Sequence, residues 1–74
     1  MPPTAREVIG ALERGGWVRT RQSGAHVRLH NPVKPANSVT VSVHQGKEIP
    51  VGTLRAILRA AGLTLAEFEE LLRS

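Results

Sequence analysis

Residues 26–30 read His-Val-Arg-Leu-His, and residues 38–44 read Ser-Val-Thr-Val-Ser-Val-His. Strict alternation marks a strand with one buried face and one wet face, because successive side chains in a strand point to opposite sides. Val27 and Leu29 make one side of the first run; Val39, Val41 and Val43 make one side of the second. The opposite sides are wholly polar. A sheet patterned in this way needs a cover on its aliphatic face, and the chain has too few apolar residues to cover both.

The ends of the chain supply that cover. Thr4-Ala5-Arg6-Glu7 has the spacing of a capping box, and Val8, Ile9 and Leu12 follow at helical intervals until Gly15-Gly16 stops the run. Trp17–Gln22 reads as a first strand, followed by a turn at Ser23-Gly24-Ala25. Asn31–Asn37, with two prolines, reads as a loop, and Gln45-Gly46-Lys47 as a turn. Ile49-Pro50-Val51-Gly52 leads into a second helix with Thr53 as candidate N-cap, Leu54, Ile57, Leu58 and Ala61 as its stripe, and Gly62 as its stop. Thr64-Leu65-Ala66-Glu67 is a second capping box, opening a last helix that turns Phe68, Leu71 and Leu72 inward. The expected fold is α+β, in the order α-β-β-β-α with a short extra C-terminal helix, its three-stranded antiparallel sheet carrying the helices on one face.

The 74 residues suit a single domain, 1–74. With no cysteine, neither a disulfide nor a thiolate metal site can staple it, so stability has to come from aliphatic burial. Trp17 reads as a core or core-edge residue. No stretch approaches the roughly 20 apolar residues of a membrane span. Met-Pro-Pro-Thr at the start lacks the charged and apolar regions of a secretion signal, so the expected location is the cytoplasm, without membrane contact.

Ten Lys and Arg, eight of them Arg, face six Glu and no Asp, for a formal charge of +4. That total is ordinary for solubility; its placement says more. His26, Arg28 and His30 share the polar side of the second strand, with Thr40, Ser42 and His44 on that of the third. If Val18 points inward, Arg19 and Arg21 join them. All six Glu lie outside the strands, so this face carries cations without counter-charge. Such a surface suits a nucleic-acid backbone. With one Trp, one Phe and no Tyr, base stacking is largely closed to it, leaving backbone, shape and ribose contacts.

Several segments carry a specific resemblance. Gly16-Trp17, Arg21 to His26, Val39 to Ile49 and above all Gly52-Thr53-Leu54-Arg55-Ala56-Ile57-Leu58-Arg59-Ala60-Ala61-Gly62-Leu63 resemble the HicA (YcfA-like) toxin family. The similarity covers nearly the whole chain. It implies a fold like that of double-stranded-RNA-binding domains, ribosome-independent cleavage of mRNA, and neutralisation by a HicB-type antitoxin that covers the active face. The family's catalytic histidine, in its Gly-Ser-His motif, corresponds to His26. Two positions depart from the family pattern: Ala25 stands where Ser is usual, and Ser42 where Pro is usual. Ser23 supplies a hydroxyl nearby, displaced in sequence.

RNA carries its own nucleophile, the 2′-hydroxyl, so cleavage needs a proton removed there, one delivered to the leaving 5′-oxygen, and stabilisation of charge at phosphorus. Imidazole suits the proton steps, its reference pKa of about 6.5 lying near working pH. His26 is the candidate for proton transfer; His30 and His44 are weaker candidates for a second such group and otherwise read as surface residues. Arg19, Arg21, Ser23, Gly24, Arg28, His30, His44 and Lys47 form the candidate RNA contact set. His26 and His30 share a strand face, but Arg28 stands between them and no Asp or Cys is available, so no metal and no cofactor is expected. The free toxin is expected to be a monomer. The rival readings are a non-catalytic RNA-binding or antitoxin-binding module, for which Ala25 is the best evidence, and a pure interaction protein with an acidic partner.

Overall fold

The computed structural model describes residues 2–44 and 47–74. The chain runs α1 (Ala5–Arg14), β1 (Val18–Ser23), β2 (His26–Asn31), β3 (Lys34–Ser42), α2 (Val51–Ala61) and α3 (Leu65–Arg73). The strands form one antiparallel sheet in the order β1-β2-β3, so the expected α+β layout is found. The turn expected at Gln45-Gly46-Lys47 lies largely outside the described residues.

Both capping boxes form. The Thr4 N–H donates to Glu7 Oε1 at 2.8 Å, and the Glu7 N–H donates to Thr4 Oγ1 at 3.3 Å. At α3 the Thr64–Glu67 pair repeats the exchange at 2.8 and 3.1 Å. These bonds favour the ionised form of Glu67. The Thr64 backbone N–H, then its hydroxyl, hold that carboxyl below its ordinary value, and the charge of Lys34 adds to the effect.

The second helix differs from its expected start. It begins at Val51, with Pro50 as N-cap residue and no side-chain cap, so Thr53 lies inside the first turn. The reason is upstream. Ile49 is buried and its N–H bonds the Pro3 carbonyl at 2.8 Å, while Thr4 and Glu48 form a bridge. The chain is therefore clamped just before Pro50, whose fixed φ lets a helix begin at once. Gly62 closes the helix at a left-handed φ of 70°.

The segment expected as a loop from Asn31 to Asn37 is mostly strand. Asn31 pairs with Lys34 across a two-residue turn at Pro32-Val33, and the buried Asn31 side chain accepts the Val33 N–H at 3.0 Å. An asparagine closing its own turn in this way replaces a long loop. Between His30↔Ser38 and Asn31↔Lys34 the register jumps, so Pro35, Ala36 and Asn37 bulge out of the ladder. β3 lies at the sheet edge, where a proline costs no ladder bond.

One core joins the layers. Val8, Ile9 and Leu12 of α1 meet Val27 and Leu29 of β2, Val39 and Val41 of β3, Ile57, Leu58 and Ala61 of α2, and Phe68 of α3. α1 packs on α3 and α2 on β3. Trp17 is buried in the same cluster, which removes it from the open face. Val43, Leu54, Leu71 and Leu72 are only partly buried at its margin. Among the described residues no helix is long and apolar enough to cross a membrane.

Candidate nucleic-acid interface

The hairpin between β1 and β2 sets up the site. Ser23 pairs with His26 across Gly24-Ala25, and Gly24 has a φ of 57° while Ala25 does not enter the positive region. A positive φ at the first central residue only is what a two-residue type II′ turn asks for, and glycine meets it without strain. The ladder continues on the far side, where the Val43 N–H donates to the Ala25 carbonyl at 2.6 Å. His26 therefore begins β2 at a fixed position, directly opposite Ser23 on one neighbour and Ser42 on the other.

Along β2 the alternation holds. Val27 and Leu29 are buried, and His26 and Arg28 are exposed. Arg28 faces Thr40 on β3, and His30 faces Ser38. His30 is half-buried and lies four residues from His26, about 13 Å along the strand. The two imidazoles share a face with Arg28 between them, and His30 does not line the depression that His26 lines.

β1 departs from the expectation at one residue. Val18 pairs with His30 and is 51% exposed, so it points outward, not inward. Arg19 consequently pairs with the buried Leu29 and lies on the helix side of the sheet, where its Nε donates to Glu13 Oε2 at 3.1 Å. It lines a cleft with Arg6, Ile9 and Val27, away from His26. A bulge at Thr20 then shifts the register, so that Arg21 pairs with Arg28 and Ser23 with His26. Arg19 and Arg21, expected together, are split between the two faces. Were the same residues to alternate regularly from Arg19, Thr20 would oppose Arg28, and Arg21 and Ser23 would point toward the helices.

The result is a shallow depression of about 220 Å³ lined by Arg21, Ser23, His26, Arg28 and Thr40. No carboxylate lines it, and among the described residues neither Arg21 nor Arg28 forms an ion pair. Two arginines directly opposite one another repel, at a cost of a few tenths to about 1 kcal/mol. A sheet face that retains such a pair is electrostatically prepared for an anion. Thr40 was not among the candidate contact residues. Alternation places it outward, but only the register against Arg28 shows that it borders the depression.

The other candidates sit elsewhere. Gly24 is exposed at the hairpin tip, beside the depression. His44 and Lys47 line a separate pocket with Ser42, Glu48, Ile49, Pro50 and Thr53. That pocket includes a carboxylate and adjoins the depression at Ser42, the residue opposite His26. Among the described residues no group of three His, Cys, Asp or Glu side chains converges as a metal site would require.

The fold and this face define a class: a small basic α+β domain in the layout of double-stranded-RNA-binding domains, with an open cationic sheet. A comparison with protein-family models narrows it. The model described as the HicA toxin of bacterial toxin-antitoxin systems matches residues 5–63, most of the 74-residue chain. The chain belongs to the HicA toxin family, and membership implies an antitoxin as partner. No curated protein matches it.

Proposed function

We propose that the protein is an mRNA endoribonuclease, the toxin of a type II toxin–antitoxin pair, working in the cytoplasm as a monomeric domain, 1–74, until a HicB-type antitoxin covers it. The observation that carries this reading is an exposed His26 beside Arg21 and Arg28, which form no ion pair among the described residues, in a depression that no described carboxylate lines.

His26 takes the proton of the ribose 2′-hydroxyl. The 2′-oxygen attacks phosphorus, the bond to the 5′-oxygen breaks, and that oxygen leaves as a 5′-hydroxyl beside a 2′,3′-cyclic phosphate. General acid–base help of this kind contributes typically about 10²–10⁴-fold. Arg21 and Arg28 hold the phosphate and stabilise the charge that gathers on its oxygens. Ser23, Gly24 and Thr40 border the same phosphate, while Lys47 meets the strand further along. His44, two residues past the Ser42 position that faces His26, is better placed than His30 to protonate the leaving oxygen. Arg19, on the other side of the sheet, drops out of the contact set. The chemistry needs no metal or cofactor, since the substrate brings its nucleophile and the arginines supply positive charge.

A second reading has one observation in its favour. Ala25, next to His26, lacks the hydroxyl usual in the family, which fits a module that binds RNA or its antitoxin without cleaving. Labelled RNA incubated with the purified protein in chelator separates the two. The nuclease reading expects cleavage with cyclic-phosphate ends, and none of a 2′-O-methylated strand. Binding without cleavage of either strand supports the module instead.

A further inference from the structure

The outward side of α2 carries a feature that the open sheet face lacks. Val51, Leu54, Leu63 and Leu65, with Arg55 and Arg59, line a groove of about 450 Å³ running from the start of α2 to the start of α3. Val51 and Leu65 are each 57% exposed, and the other two leucines are half-buried. Burying such aliphatic surface is favourable at roughly 25 cal/mol per Å². RNA offers little to bury against it. The groove therefore matches a protein.

Its rim indicates which kind. Arg55 and Arg59 are exposed, sit one helical turn apart, about 6 Å along the axis, and form no ion pair among the described residues. No carboxylate lines the groove. An amphipathic helix laid along α2, with a leucine stripe and carboxylates at i and i+4, would match both the apolar floor and the paired charges. A second copy of this chain cannot provide it. α3 is its most acidic helix, with Glu67, Glu69 and Glu70, but Phe68, Leu71 and Leu72 are already engaged with the core.

We propose that this groove is a docking surface for an acidic amphipathic helix of the antitoxin, separate from the face around His26. The inference rests on the chain's membership of a toxin–antitoxin family and not on the nuclease reading. It gives the partner an apolar anchor that the cationic sheet face does not offer, so the toxin could be gripped on one side and covered on the other.

The test uses a fluorescein-labelled helical peptide of about 18 residues, five turns, with a leucine stripe flanked by Glu at i,i+4 spacing, and a twin in which every Glu is Lys. Anisotropy titrations at about 0.15 M salt keep long-range attraction screened. The acidic peptide is expected to bind the wild-type protein at least about tenfold more tightly than its twin, a difference of about 1.4 kcal/mol. Arg55→Glu with Arg59→Glu should reverse the preference, and Leu54→Ala should weaken both pairings. RNA cleavage by the arginine double variant should equal that of wild type; absence of cleavage by both tells against the nuclease reading alone, and a loss confined to the variant overturns the separation of the groove from the RNA face. Equal affinity for the two peptides overturns the proposal. So does a loss of binding caused by Arg21→Glu with Arg28→Glu in place of the α2 pair, and so does dimerisation through Leu65 or displacement of the peptide by RNA.

Discussion

The two faces of the sheet share the same strands and have opposite obligations. On the inner face Val27, Leu29, Val39 and Val41 are fully buried against the helices. On the outer face His26, Arg28 and Thr40, one residue away in each case, are exposed to solvent beside Arg21 and Ser23. In a domain this small the inner face has to provide nearly all the stability. The outer face is then free to hold an arrangement that costs stability, two opposed arginines, whose repulsion the proposed RNA phosphate would relieve. Substitutions should accordingly split into those that unfold the protein and those that silence it.

The largest effect is expected inside. Phe68→Ala should cost about 3–5 kcal/mol, a large share of the roughly 5–15 kcal/mol available to a typical domain. Denaturant melts should show the midpoint falling steeply, with cleavage lost only because the fold is. The next test compares arginines on the two faces. Arg21→Gln removes a guanidinium from the outer face and Arg19→Gln removes one from the helix side. Cleavage should fall by about 10²–10³ in the Arg21 variant alone, the usual consequence of losing one transition-state donor, while cross-strand pairing persists in NMR spectra of both. Equal losses in the two variants would mean that the bulge does not divide the two arginines by function.

Arg28→Gln probes the outer face by binding. The slope of log affinity against log salt for an RNA hairpin should shrink by about 1, the signature of one lost phosphate contact. Its melting temperature should hold or rise slightly, since a repulsive pair is relieved. A fall of several degrees would mean that Arg28 supports the fold after all.

Much of this division was legible in the sequence, and the parts that were not have physical reasons. The alternation of β2 and β3 gave their faces directly, because valines and polar residues mark opposite phases. β1 has no such mark. Val18 is its one aliphatic residue and is itself exposed, so the pattern carries no phase and a single inserted residue at Thr20 leaves no trace. Thus His26 and Arg28 could be placed from the sequence, whereas Arg19 and Arg21 could not be told apart. The start of β3 was hidden by two prolines that read as loop, although one sits in a turn closed by Asn31 and the other on an edge. The start of α2 was hidden because it is set by the Ile49–Pro3 bond, a contact between distant segments that no local spacing reveals.

The smallest effect lies at a helix end, remote from both faces. Glu67 is held in its ionised form by the Thr64 N–H, so its folded-state pKa is depressed. A depressed carboxylate stabilises the fold above its unfolded value, and the benefit is lost as pH falls through the folded value. Glu67→Gln should therefore lower the melting temperature slightly near neutral pH and converge with wild type in acid. A difference that grows in acid would reverse the sign and remove the explanation.

The central claim is that His26 belongs to function and not to the fold. The direct test is to follow RNA cleavage and the melting temperature of His26→Ala in one preparation. The account predicts cleavage down by about 10²–10⁴ with stability within about 0.5 kcal/mol of wild type. Undiminished cleavage, or loss of activity only in step with loss of folded protein, would contradict it.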